Sequence, residues 1–394
     1  MKQILFALFA VVVDTAAGEV FDVRSFGAKG DGVAKDTIAI QRAIDAAAET
    51  GGEVLLAQGT YLSGTVYLKS RVDFHLAEGA VLKGSPCRDE YCAPNFVPQN
   101  VASRYDNTGG GHLVVCVGQK DVVLRGPGKI DGNAPAFLKL ADGSHPKNKH
   151  EIPWRPSQMV WVVESRDVTI RDIELADAPY WSCMLHGCEN VVVSNVFIHT
   201  IRTPHTYNGD GLDIDSSRHV RVTDCRISTA DDSITLRADG RRLTKSGDCA
   251  NVIVSNCVLS SDCNAVRMGV GNGHIHDCLF SDIRIENTRC AVNAVGAWSR
   301  PDHGVDITNI AFHDLSIDAN VFCKFYYRYA THSVFDGIVF RHVRGRVRKQ
   351  SIFDDTSCRP FRNLRFEDVL LDGETSPRMN ANLSLSVAVE RPQS

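Results

Sequence analysis

A phrase of the form apolar-x-apolar-x-x-x-x-apolar recurs along this chain, and it limits the fold more than any other feature. It reads Val168-Thr-Ile-Arg-Asp-Ile-Glu-Leu, then Val191-Val-Val-Ser-Asn-Val-Phe-Ile, Val220-Arg-Val-Thr-Asp-Cys-Arg-Ile and Val252-Ile-Val-Ser-Asn-Cys-Val-Leu, returning every 23 to 32 residues. Further copies lie at Val122 and around Ile283, Ile310, Ile338 and Leu364. Short runs of β-branched residues separated by Asn, Asp, Gly and Ser, with no helix between them, predict strands. A strand repeat of this period must bury its alternating apolar residues against the coils above and below, which favours a parallel β-helix over leucine-rich or helical repeats. A β-sandwich would show hairpin turns at close intervals and no long-range phrase.

One amphipathic helix is expected, from about Asp36 to Glu49, with Ile40, Ile44 and Ala47 on one face and Gly51-Gly52 as its stop. It would cap the open end of the stack, which otherwise offers an unpaired edge to other chains. Residues 1–18 read as a signal peptide: Met-Lys, the apolar run Ile4–Val13, then small residues ending near Gly18. That run is too short to span a bilayer. The expectation is therefore an exported protein, secreted or periplasmic, with residues 19–394 forming one all-β, right-handed solenoid that is monomeric and free of membrane contacts. A formal charge of -4 at 23% charged residues gives no reason to expect a nucleic-acid partner. Of thirteen cysteines, Cys225, Cys257 and Cys278 read as small buried residues, whereas Cys87 with Cys92, and Cys183 with Cys188, are spaced for local disulfides in an oxidising compartment.

Two successive coils open with acid: Asn208-Gly-Asp210-Gly-Leu-Asp-Ile-Asp215 and Ala230-Asp231-Asp232-Ser-Ile-Thr-Leu-Arg237. Aligning Leu212 and Ile214 with Ile234 and Leu236 stacks Asp210 on Asp232, about 5 Å apart by strand spacing, with Asp231 beside them. Carboxylates so close repel one another, and at least one should hold its proton above the usual range. A paired acid and base suit glycoside hydrolysis. Gly209 and Gly211 are expected to leave the backbone bare for a sugar. In the next coil, Cys263-Asn264-Ala-Val266-Arg267-Met268 places Asn264 on Asp232 and turns Arg267 outward, where a guanidinium suits a sugar carboxylate or screens the aspartates. Arg237 with Asp215 reads as a surface pair or a substrate contact, and Trp181 and Trp298 as stacking platforms or packed rings. Asp and Asn also form ordinary turns in such folds. No cofactor or metal motif is present, and hydrolysis requires none.

At these residues the chain resembles glycoside hydrolase family 28, the polygalacturonases and rhamnogalacturonan hydrolases. The family's Asn-Thr-Asp-Gly motif matches Asn208-Gly209-Asp210-Gly211, and its Asp-Asp motif matches Asp231-Asp232. Arg155-Pro156, Ala178-Pro-Tyr-Trp181 and the entry Ser25–Gly32 are similar too. The resemblance implies an inverting hydrolase of a pectin-like polysaccharide, with Asp231 as general acid and Asp210 and Asp232 activating water. Asn208, Asn264, Arg267, Arg237, Trp181 and Arg289 are the expected substrate contacts. The family's Gly-His-Gly falls on Cys263-Asn264-Ala265, and its Arg-Ile-Lys is not recognisable near Arg289–Ala294; His186 or His205 would be substitutes for the histidine. Two rivals stay open: a polysaccharide lyase with a cationic base and calcium on the acidic turns, and a non-catalytic carbohydrate-binding β-helix.

Overall fold

The computed structural model describes residues 18–100, 108–138, 151–202, 206–240, 242–244, 247–297, 304–327, 333–354, 361–373 and 378–379. The strands join into one hydrogen-bonded sheet wound on itself, and every pairing of named strands is parallel. Each coil in the middle of the chain contributes three short strands. Cys183–His186, Glu189–Ser194 and Phe197–His199 make one coil, and Leu212–Asp215, Arg218–Thr223 and Arg226–Thr229 make the next. From Cys249 onward the strands run together across the bends, as in His274–Val295.

The recurring phrase is the register. Val168, Val191, Val220 and Val252 lie opposite one another in consecutive coils, as do Leu175, Ile198, Ile227 and Leu259. All eight are buried, so each coil completes the core of its neighbours and none could bury its apolar face alone. Toward the C-terminal end the core turns aromatic. Phe280, Phe312, Phe340 and Phe366 stack with centroid spacings of 4.8, 4.6 and 5.2 Å.

The bends explain the abundance of Asn and Asp. Asp172, Asn195, Asp224 and Asn256 hold φ between 49° and 58°, a left-handed conformation that short polar side chains tolerate. They also bond up the stack, Asn195 Nδ2 donating to Asp172 at 2.8 Å and Asn256 Nδ2 to Asp224 at 2.6 Å.

The expected helix is α1, Thr37–Thr50, and it buries Ala39, Ile40, Ala43, Ile44 and Ala47 against the first coils. Asp36 before it turns inward, its carboxylate accepting from Lys29 N at 2.7 Å and Gly30 N at 3.0 Å. A second, short helix, α2, spans Ala134–Leu138. The twelve cysteines among the described residues are all free, which corrects both expected disulfides. Cys183 points into the core and Cys188 sits in the next bend, its thiol donating to Val162 O at 3.3 Å. Cys225, Cys257 and Cys278 are buried as expected. Residues 1–17 of the expected signal peptide lie outside the described residues, as do His205 and Trp298.

Candidate active site

The alignment that builds the site holds rung by rung. Leu212 faces Ile234, which faces Val266, and Ile214, Leu236 and Met268 follow two residues on. Gly211 N bonds Asp232 O and Ser233 N bonds Asn264 O, each at 2.9 Å, so Asp210, Asp232 and Asn264 occupy one corner of three consecutive coils. Asp231 stands beside them, its N–H donating to Gly209 O at 3.2 Å and its carbonyl accepting from Thr229 and Ser261 hydroxyls at 2.7 and 2.6 Å. None of the three aspartates has the left-handed φ of the turn-forming acids. They are strand-entry residues held by backbone ladders, and turn geometry does not account for them.

Asp232 is tied on both oxygens. Asn264 Nδ2 donates to Oδ1, and Arg267 Nη1 lies 3.2 Å from Oδ2. Asn293 Nδ2 in turn donates to Asn264 Oδ1 at 3.1 Å, fixing that amide. One oxygen each of Asp231 and Asp232 and the Cys263 sulfur lie within 4.8 Å of one another, the one group of such donors among the described residues close enough to hold a metal. Arg267 and Arg289 already direct positive charge at these atoms, Arg289 Nη2 donating to Cys263 Sγ at 2.6 Å, and that opposes a cation. With a thiol among its donors and two arginines beside it, this group does not fit calcium as a lyase would use it.

Burial and mutual repulsion set the protonation. Asp231 is pushed up to about 6, by burial first and then by the charge of Asp232. Asp210 is raised well above the ordinary carboxylate range by burial and by Asp231, Asp213 and Asp232, with Arg237 opposing. Its Oδ1 is buried with no hydrogen-bond partner. A site that keeps a proton on one carboxyl while a guanidinium faces another has separated an acid from a base.

Several expected substrate contacts have other partners. Arg237 is no surface pair: Nε lies 3.3 Å from Asp215 Oδ2 and Nη1 3.8 Å from Asp213, with the side chain largely buried. Its guanidinium rests 4.6 Å over the Trp181 ring, which itself stacks on Tyr180 at 4.9 Å. Trp181 is 9% exposed, a shelf under Arg237 more than a platform for a sugar. Asn208, at φ 55°, accepts at Oδ1 from Arg155 Nη2 at 3.0 Å. Fully buried Arg155 also donates to Pro179 O at 2.9 Å and to Tyr207 O, and so fixes the turn leading to Asp210. Arg289 is exposed at the site's edge. His186 is buried, its ring nitrogen 3.4 Å from Asp239 O.

The sequence reading missed Asp213, a fully buried carboxylate raised well above its ordinary range by burial against the opposing pull of Arg237. It also missed Cys263 as a neighbour of the acids and Asn293 as the support of Asn264. Asp213, Thr235, Arg267 and Asn293 form one outward row, and a row following the Leu212–Ile234–Val266 alignment was the available signal.

A family model described as "Glycosyl hydrolases family 28" matches residues 75–383. The chain belongs to glycosyl hydrolases family 28. A second model, "Rhamnogalacturonase A/epimerase, pectate lyase-like", matches residues 20–128, the capped N-terminal coils. Among similar proteins, an exo-poly-alpha-D-galacturonosidase of Dickeya chrysanthemi is 28% identical over 350 residues, covering 77% of this chain and 57% of that protein. The chain spans about half the length of the curated relatives it matches. An exopolygalacturonase from Thermotoga maritima superposes with TM-score 0.72 at 18% identity, over 90% of this chain and 87% of that one. A polygalacturonase from Erwinia carotovora gives 0.70 at 16% identity, over 94% and 97%. At such identities these two establish the fold, a right-handed parallel β-helix, and family 28 membership rests on the sequence match.

Proposed function

We propose that this family 28 chain hydrolyses α-glycosidic bonds in a galacturonan-like polysaccharide, with Asp231 as general acid and Asp210 and Asp232 holding the attacking water. The observation that carries the reading is the split between Asp231, raised to about 6, and Asp232, whose two oxygens face Asn264 and Arg267. An acid near 6 protonates a leaving oxygen in mildly acidic surroundings. Similarity to a galacturonosidase supports the substrate class. The leader-like residues 1–18 support export, which suits a polymer outside the cell.

Stereochemistry needs an argument of its own. Inverting pairs usually stand about 6.5–9.5 Å apart and retaining pairs about 5–5.5 Å, and the nearest oxygens of Asp231 and Asp232 fall within 4.8 Å. The distance alone suggests retention. A retaining nucleophile must attack carbon, however, and Asp232 is almost fully buried with both oxygens engaged. A carboxylate so held is better placed to orient water, alongside the unpartnered Oδ1 of Asp210. Inversion is therefore the assignment.

The test is reducing-end release from homogalacturonan, rhamnogalacturonan and neutral α-glucans by the parent and by Asp231→Asn, with ultraviolet absorbance followed in parallel and the product anomer read by proton NMR. Reducing ends without ultraviolet gain, lost in the variant and first appearing as the inverted anomer, support the reading. Unsaturated ends would mean a lyase, and a retained anomer would make Asp232 the nucleophile. Binding without cleavage across the panel would leave a carbohydrate-binding protein.

A further inference from the structure

The cations of the site are unevenly committed. Arg267 faces Asp232, and Arg237 faces Asp215 and Asp213. Drawing either guanidinium onto a substrate carboxylate would strip a buried aspartate of its counter-charge. Arg289 is turned onto the Cys263 sulfur. The outward row continues beyond them: Arg267 faces Asn293, Asn293 faces Lys324, and Lys324 faces Ile352. Lys324 thus stands two rungs past Arg267, about 10 Å along the stack, with Ile352 on the rung beyond it.

Lys324 has no ion-pair partner among the described residues, whereas Arg267 and Arg237 face carboxylates and Arg289 faces the Cys263 sulfur. Its ammonium lies 4.9 Å over the Tyr326 ring, which anchors the half-buried stem. Beside it, Asn293 is 7% exposed, and its Oδ1 is buried without a hydrogen-bond partner while its Nδ2 serves Asn264. An uncommitted cation next to an unsatisfied buried acceptor, continuous with the catalytic corner, offers what a sugar acid presents: a carboxylate and an adjacent hydroxyl.

We infer that Lys324 and Asn293 form the subsite that selects a uronate next to the bond being cleaved, Lys324 pairing with the sugar carboxylate and Asn293 Oδ1 accepting a hydroxyl of the same ring. The inference rests on the galacturonan reading and deepens it. It moves the carboxylate contact away from Arg267 and Arg289 and makes Lys324 the residue that separates acidic from neutral chains.

The experiment compares trigalacturonate with its methyl ester, which removes the carboxylate charge and keeps the ring. Affinities are measured by calorimetry in an Asp231→Asn background, which cannot cleave, and kcat/KM is measured in the parent background. Lys324→Met should weaken trigalacturonate binding about 30-fold, roughly 2 kcal/mol at 1.4 kcal/mol per decade, and leave the methyl ester within about twofold, while Lys324→Arg should restore much of the loss. Equal losses for both ligands, or no loss for either, would overturn the inference. If the parent cleaves galacturonan yet Lys324→Met does not discriminate, this subsite alone fails. If the parent cleaves none of these polymers but binding shows the expected discrimination, the catalytic reading fails and the subsite stands.

Discussion

Arg267 shows how tightly charge is matched at the residue scale. Removing it, as in Arg267→Met, leaves Asp232 buried without its cation, and losing one partner of a buried pair costs about 3–5 kcal/mol. Urea titration should show a stability loss of about 3 kcal/mol at neutral pH; a loss within about 0.5 kcal/mol of zero, the range of ordinary surface substitutions, would mean that Arg267 does not serve as the counter-charge. Asp231 gives the complementary pH signature. Its folded value is raised from 3.8 to about 6, so the folded chain holds this proton more tightly than the unfolded one. Its contribution to stability is fully present below the ordinary value and is lost as pH rises through about 6. Activity should follow the same proton: kcat/KM falls above about pH 6, tenfold per unit. A profile flat to pH 8 would remove Asp231 as the acid. The vertical stack Asp210–Asp232–Asn264 was legible in the sequence because inward Leu212, Ile234 and Val266 fix the register. Asp213, Asn293 and Lys324 were not, because outward positions of a solenoid look alike until cross-coil pairing shows which ones face a charge.

At the scale of the element, glycine has a different task from the one its motif suggested. Gly209 and Gly211 were expected to clear space for a sugar, yet both are buried and neither needs a left-handed φ. A Cβ on Gly211 would meet Ser233 O at 2.5 Å and Ile227 Cγ2 at 2.6 Å. Neighbouring coils, not ligands, exclude the side chain. Gly211→Ala should therefore force the Leu212–Asp215 and Ile234–Ala238 strands apart and cost about 1–3 kcal/mol, the usual range for overpacking. Differential scanning calorimetry checks this without any substrate. An unchanged melting temperature with lost activity would restore the sugar-clearance role. The cap helix was legible from its 3.6-residue period and its Gly51-Gly52 stop. The disulfide expectation failed because closeness in sequence says little when Cys183 lies in a strand and Cys188 in the next bend, where its thiol turns to Val162 O.

The whole molecule is a one-dimensional stack, and its two tasks, ending safely and holding the site, are separated along its length. Helix α1 covers the strands Glu19–Asp22, Gly52–Leu56, Val66–Tyr67 and Val72–Leu76 with Ile40 and Ile44, both fully buried. The site coils begin more than a hundred residues later, and their strands pair only with those of adjacent coils. In such a stack stability is a sum of nearest-neighbour terms, so damage at the cap should stay near the cap. Ile44→Asp places a charge in the apolar contact and should undock α1, exposing strand edges that pair readily with other chains. The expected outcome is concentration-dependent association, seen by light scattering, together with faster hydrogen exchange confined to roughly the first coils. In dilute solution the protein should keep kcat/KM on galacturonan within about twofold of the parent. If activity instead falls in step with loss of the cap, the solenoid melts as a single unit, and the aspartate corner depends on a helix that it never touches.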